Sequence, residues 1–218
     1  MTRPYDAVLF DLDGTLIDSA EGIYACARHA MESVGAEVPD TGVLRSWIGP
    51  PLRDTFHLHF EADAGRAAAA LAAYRDLYDR EGWCMFHVYE GIPELLAALA
   101  DAGHRMAVVT SKGEAFAQKV LASLPFGGRF GTICGTSADG SRRAKPDLVA
   151  EALRRLGAQA ADAVMIGDRR YDILGARAHG LRGIGVLWGF GDRVELEDAG
   201  ADAIAESPQA LRRMLLEP

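Results

Sequence analysis

Residues 7–15 read Ala7-Val8-Leu9-Phe10-Asp11-Leu12-Asp13-Gly14-Thr15. Four consecutive apolar residues without alternation predict a strand covered on both faces, as in a parallel sheet. Gly14 breaks the run, so Asp11 and Asp13 stand at the C-terminal tip of that strand. In an open α/β sheet this is the edge that holds ligands. Carboxylates two residues apart on a strand point the same way. Without a cation they repel, and one keeps its proton. A hard cation such as Mg²⁺, which takes carboxylate and carbonyl oxygens, relieves the conflict. For these nine residues alone, the competing reading is a turn with two solvated aspartates.

The rest of the chain supplies the context. Residues 19–34 predict a helix, with Ser19 at its N-cap and Gly35 ending it. Residues 39–86 contain no convincing strand. Val43, Leu44, Trp47 and Ile48 have helical spacing, and Gly49-Pro50-Pro51 is a turn. Residues 52–60 predict a second short helix, and alanine-rich residues 66–80 a longer one. His57 and His59, two positions apart, do not share a helix face, so they read as packing or surface residues rather than metal ligands.

From Tyr89 the pattern alternates. Strands are predicted at residues 105–110, 132–134, 163–167 and 183–187, with a short edge strand at 203–205. Helices fall at residues 93–102, 116–124, 146–156 and 173–179, and another begins near Pro208. Strands alternating with helices imply right-handed βαβ units, hence an α/β fold with helices on both faces of a parallel sheet. The all-helical stretch is then a small module inserted after the first strand. The expected boundaries are a core of residues 1–16 and 87–218 and a cap of residues 17–86.

A length of 218 residues suits a core domain with one inserted module. The formal net charge of −8 argues against a general nucleic-acid partner, because phosphate backbones attract basic surfaces. Three cysteines (Cys26, Cys84, Cys134), odd in number and without CxxC spacing, argue against a disulfide framework and a zinc site. Free thiols in a cytoplasmic protein are the expected state. The first strand begins too early for a signal peptide, and no apolar run reaches membrane-spanning length, so no membrane role is expected.

Polar residues recur at the other strand ends. Thr110-Ser111-Lys112 ends the second strand, and Lys145-Pro146 follows the loop after the third. Gly167-Asp168-Arg169-Arg170-Tyr171-Asp172 follows the fourth. In a parallel sheet these tips share one edge. Together they offer nucleophile and acid/base candidates, a hydroxyl, a lysine and further carboxylates, the set that phosphoryl transfer needs.

On these four motifs, in this order, the chain resembles the haloacid dehalogenase superfamily. The likeness is to its phosphoglycolate-phosphatase-like and 5′-nucleotidase-like branch, which has a Rossmann-like three-layer α/β/α core and a helical cap. The resemblance covers essentially the whole chain. It implies that Asp11 is the nucleophile that forms an aspartyl-phosphate and that Asp13 is the general acid and then the base. It implies that Thr110, with Ser111, binds phosphoryl oxygens and that Lys145 bridges nucleophile and phosphoryl group. It assigns Mg²⁺ to Asp11, Asp168 and the Asp13 carbonyl, with Asp172 behind them holding a metal-bound water or orienting Lys145.

The aspartate at position 13 disfavours dehalogenation, and Leu12 disfavours a transport ATPase, which has lysine there. The expected activity is hydrolysis of a small phosphate monoester, a nucleoside 5′-monophosphate or phosphoglycolate. A sugar phosphomutase and a non-catalytic phosphate-binding module are the alternatives. Substrate choice is expected to lie in the cap, with Arg53 after the Gly-Pro-Pro turn as the substrate-facing cation. The partner is a small phosphorylated metabolite rather than a macromolecule, and the working form a monomer or homodimer.

Overall fold

The computed structural model describes residues 4–61 and 63–217. The described strands are β1 (Ala7–Phe10), β2 (Ile17–Asp18), β3 (His87–Val88), β4 (Arg105–Gly113), β5 (Thr132–Thr136), β6 (Ala163–Gly167), β7 (Arg182–Val186) and β8 (Ala203–Ala205). The α-helices are α1 (Ala20–Ser33), α2 (Thr41–Ser46), α3 (Leu52–His59), α4 (Ala64–Arg80), α5 (Ile92–Asp101), α6 (Glu114–Ala122), α7 (Lys145–Leu156), α8 (Arg170–Arg177), α9 (Arg193–Asp198) and α10 (Pro208–Leu216). Two compact units emerge, one of residues 18–87 and one of residues 1–17 with 88–218.

The larger unit is built on a six-stranded parallel sheet, ordered β5-β4-β1-β6-β7-β8. β1 lies inside it, paired with β4 and β6 in matched register, Phe10 opposite Val108 and Ile166. Its four residues are all buried, so the unbroken apolar run is explained by cover on both faces. Ala7 and Leu9, Ala107 and Val109, and Ala163 and Met165 share one face by the two-residue period of strands. They pack against Leu148, Val149 and Ala152 of α7 and Ala176 of α8. The chain leaves β1 for β4 and β5 on one side and returns to β6, β7 and β8 on the other. The sheet therefore has a switch point beside β1, where the carboxyl ends of neighbouring strands open a crevice.

The smaller unit is helical. Ile23, Cys26, Ala27, Ala30 and Met31 form the buried stripe of α1, and Ala67, Ala70, Leu71, Tyr74 and Tyr78 that of α4. Spacings of three and four give each helix one apolar face, and the two helices pack together. His59 packs edge-on against the Trp47 and Phe60 rings, at centroid distances of 5.3 and 5.1 Å.

Several local expectations are corrected. Ser19 occupies the N-cap of α1, but its hydroxyl makes no capping bond; Asp18 Oδ1 accepts from the Ala20 amide at 3.0 Å instead. The guanidinium of Arg66 donates to the Val34 and Gly35 carbonyls just past the end of α1. β2 and β3, two residues each, pair with one another and are too short for any periodicity to reveal. α9 is likewise absent from the sequence reading, since only Val194 and Leu196 are apolar in its six residues.

Candidate active site

The switch point brings together side chains from four strand ends. Asp11 and Asp13 follow β1, Thr110 and Lys112 lie at the end of β4, Lys145 opens α7, and Asp168 and Asp172 follow β6. The Asp11 amide donates to the Ile166 carbonyl at 2.8 Å, which carries the β1–β6 pairing one residue past the strand and fixes where the Asp11 side chain starts.

Lys145 is the hub of one half of the site. Its Nζ donates to Asp11 Oδ1 at 2.8 Å and to the Val109 carbonyl at 3.0 Å. Asp172 Oδ1 stands 2.6 Å from the same nitrogen, an ion-pair contact outside hydrogen-bond angles. An ammonium has three donors, and here it has three oxygen neighbours. Asp172 Oδ2 accepts from the Arg169 amide at 3.1 Å, so the first turn of α8 pins this carboxylate. Burial lowers the affinity of Lys145 for its proton, but the charges of Asp11 and Asp172 outweigh burial and hold the pKa above the usual lysine value. Burial pushes the Asp11 carboxyl up to about 7 against the pull of Lys145, and the charges of Asp172 and Asp13 add to the rise.

Asp168 is fully enclosed, and two segments hold it. Its Oδ2 accepts from the Phe190 amide at 2.7 Å, and its Oδ1 from the Thr15 hydroxyl at 3.4 Å. The Trp188 indole donates to the Thr15 carbonyl at 3.0 Å, tying the loop after β7 to the loop after β1. The chain passes so close that a Cβ on Gly189 would overlap the Gly14 carbonyl and the Asp168 side chain. Burial, then the charges of Asp172 and Asp11, hold the Asp168 carboxyl well above the usual carboxylate range. Asp11, Asp168 and Asp172 each offer a carboxylate oxygen, and the three atoms lie within 4.8 Å of one another. Three buried oxygen donors, two of them on carboxyls (Asp11 and Asp168) that burial holds toward the protonated form, fit a hard divalent cation, which would favour the ionised forms.

Asp13 is held separately. Lys112 Nζ contacts both of its oxygens, at 2.6 and 2.8 Å. The Thr110 hydroxyl oxygen accepts from the Lys112 amide at 3.2 Å, which leaves its hydrogen able to donate to an anion. Ser111 is half-buried between them on the same strand. Arg53 belongs to the other unit, exposed on the first turn of α3. Among the expected site residues, the larger unit thus gathers Asp11, Asp13, Thr110, Lys145, Asp168 and Asp172.

The sequence reading missed three contributors: Lys112, Thr15 and the Trp188-Gly189-Phe190 segment. Lys112 carries a signal in hindsight, because it stands two positions after Thr110 at the same sheet edge. The Phe190 amide has none, since a main-chain donor leaves no trace in residue type.

A family model described as haloacid dehalogenase-like hydrolase matches residues 8–186. The tyrosine-protein kinase PtkA of Mycobacterium tuberculosis is 43% identical over 184 residues, covering 84% of this chain. The chain spans 62% of the length of that relative. A 5′-nucleotidase of Pseudomonas aeruginosa is 39% identical over 97% of this chain and 96% of its own length. The crystal structure of a "predicted phosphatase" from Clostridium acetobutylicum superposes with a TM-score of 0.93 at 39% identity, covering 98% of this chain and 99% of that one. The chain belongs to the haloacid dehalogenase-like hydrolase family. In fold it is a Rossmann-like α/β member of that family.

Proposed function

We propose that this chain is a Mg²⁺-dependent phosphatase that hydrolyses a small phosphate monoester through an aspartyl-phosphate on Asp11. The observation that carries the reading is the division of the carboxylates between two lysines. Lys145 sits on Asp11 and Asp172, and Lys112 on Asp13. A nucleophile and an acid/base are thereby held apart at one sheet edge with a cation beside each.

In this reading an Asp11 oxygen attacks phosphorus as the bond to the leaving oxygen breaks, and Asp13 gives that oxygen a proton. Asp13 then takes a proton from the water that attacks the aspartyl-phosphate, releasing inorganic phosphate and regenerating Asp11. Thr110 donates to a phosphoryl oxygen, and Lys145 meets the charge that develops there. Asp11 and Asp168, with the Asp13 carbonyl, would hold Mg²⁺, and Asp172 orients Lys145 behind them. When bound, the ion would supply positive charge that offsets the phosphoryl group's negative charge.

A nucleoside 5′-monophosphate is the favoured substrate, supported by the relative named 5′-nucleotidase that the chain matches nearly end to end. Arg53, in the helical unit, is the proposed contact for the part of the substrate beyond the phosphoryl group. The test is phosphate release from a panel of nucleotides, phosphoglycolate and sugar phosphates, with Mg²⁺ and with excess chelator. Turnover that vanishes in chelator and returns with Mg²⁺ is the expected result. A parallel arm offers ATP and a tyrosine peptide, because one relative is named a tyrosine kinase. Phosphopeptide formation without phosphate release would overturn the phosphatase reading.

A further inference from the structure

The phosphatase reading sets Lys112 beside Asp13 without saying what that contact does for the reaction. Its Nζ reaches both Asp13 oxygens, and both side chains are about nine-tenths removed from solvent. The backbone that presents it is irregular. β4 pairs Val109 with Cys134 and then Gly113 with Thr136, so four steps on β4 match two on β5. An irregularity of this kind re-aims side chains at the end of a strand. It falls on Thr110, Ser111 and Lys112, and the Lys112 amide bonds the Thr110 hydroxyl inside it.

We propose that Lys112 is a positioning residue: it fixes the orientation of the Asp13 carboxylate toward the leaving-group oxygen. The inference rests on the assignment of Asp13 as acid/base. A carboxylate on a single Cα–Cβ stem can rotate about two bonds, and proton transfer works only within hydrogen-bond reach of the leaving oxygen. Two short contacts from one ammonium remove that freedom. Lys145 cannot serve, because its three neighbours are Asp11, Asp172 and the Val109 carbonyl. Lys112 therefore belongs to the leaving-group side of the site and Lys145 to the nucleophile side.

Leaving-group dependence tests this. With an alkyl phosphate, whose leaving oxygen needs a proton, Lys112→Met should lower kcat about tenfold or more and move KM less than about threefold. With p-nitrophenyl phosphate, whose leaving group departs without a proton, formation of the aspartyl-phosphate, read as the pre-steady-state release of nitrophenolate, should slow by less than about threefold, whereas hydrolysis of the intermediate, which also uses Asp13, should slow on either substrate. In an Asp13→Asn background, adding Lys112→Met should cost almost nothing further, the non-additivity expected of residues that act as a unit. Lys112→Arg should recover part of the alkyl-phosphate rate. Equal losses in the aspartyl-phosphate-forming step on both substrates, or a full further loss in the Asp13→Asn background, would assign Lys112 to direct phosphoryl binding and overturn the proposal. Because Lys112→Met leaves a buried carboxylate uncompensated, the same comparison is also made with Lys112→Gln, and the double variant removes both charges together. A wild-type protein that hydrolyses neither substrate would refute the phosphatase reading itself, before any variant is compared.

Discussion

Lys145 and Asp11 stand 134 residues apart in the chain, and their Nζ and Oδ1 atoms meet at 2.8 Å almost closed to water. The pair is buried with a second carboxylate, Asp172, against the same nitrogen. Removing the ammonium alone leaves two carboxylates facing each other. Breaking such a buried pair from one side costs roughly 3–5 kcal/mol. Lys145→Ala should therefore lower the melting temperature in chelator and abolish measurable turnover. Asp11→Asn should also be inactive, yet melt no lower than wild type in chelator at pH 8, because it removes a carboxylate that burial disfavours. A Lys145→Ala protein as stable as wild type, or an active Asp11→Asn, would contradict this account.

In the proposed reading the carboxyl groups of the site link metal binding to pH. Asp11 titrates near 7 in the folded chain against an ordinary 3.8, and Asp168 is shifted the same way. Between those two values the folded chain keeps a proton that the unfolded chain has released. The contribution of Asp11 to stability therefore falls as pH rises through that window and is flat above about 7. A divalent cation must displace these protons. The rise in melting temperature on adding Mg²⁺ should be small at pH 5.5 and clearly larger at pH 8. A rise independent of pH would separate the cation from these carboxylates.

Gly189 tests the clamp on Asp168. A methyl there would overlap the Gly14 carbonyl and the Asp168 side chain, whose Oδ2 takes the neighbouring Phe190 amide. Disturbing the partners of a metal-binding carboxylate typically costs about 10- to 100-fold in metal affinity. Gly189→Ala should raise the Mg²⁺ concentration for half-maximal activity by about that factor, with most of the rate recovered at saturating Mg²⁺. An unchanged Mg²⁺ titration would mean that the loop only packs.

The parallel sheet was legible because its strands are long apolar runs punctuated by glycines and polar tips. Asp11, Asp13, Thr110 and Asp168 stood out as candidates because each ends or follows such a run, and Lys145 because, with Pro146, it opens the helix beyond the loop after the third strand of the sheet. Three kinds of feature were not. Main-chain donors such as the Phe190 amide are available at any residue type. Strands of two residues, Ile17–Asp18 and His87–Val88, show no period. The partner of Lys112 follows an irregularity in β4, where four steps match two on β5 and no residue pattern marks it. Lys112 reads in sequence as one more polar residue at a strand end; its spacing from Thr110 puts it at the edge, and only its distance to Asp13 identifies its partner.

Gly175 sets local propensity against packing. It lies inside α8, where alanine would ordinarily be better by roughly 0.5–1 kcal/mol. A Cβ built there, however, meets Lys145 Cγ at 2.6 Å and Lys145 Cβ at 3.2 Å. These atoms are the root of the lysine stem, not its free end, and the ammonium at the other end is fixed by three oxygens. The stem cannot step aside without drawing Nζ from Asp11. Overpacking of this kind costs roughly 1–3 kcal/mol, more than the propensity gain. Gly175→Ala should therefore lower the melting temperature and reduce kcat about tenfold, with KM less affected because in the proposed mechanism Lys145 meets the developing charge. Gly65 supplies the control. It is exposed near the start of α4, and a Cβ there meets only Asp63 Oδ1 at 3.6 Å. Gly65→Ala should leave kcat unchanged and hold or slightly raise the melting temperature. Wild-type kcat with a raised melting temperature in Gly175→Ala would show that the Lys145 stem yields without moving its ammonium, and the packing argument for this glycine would fail.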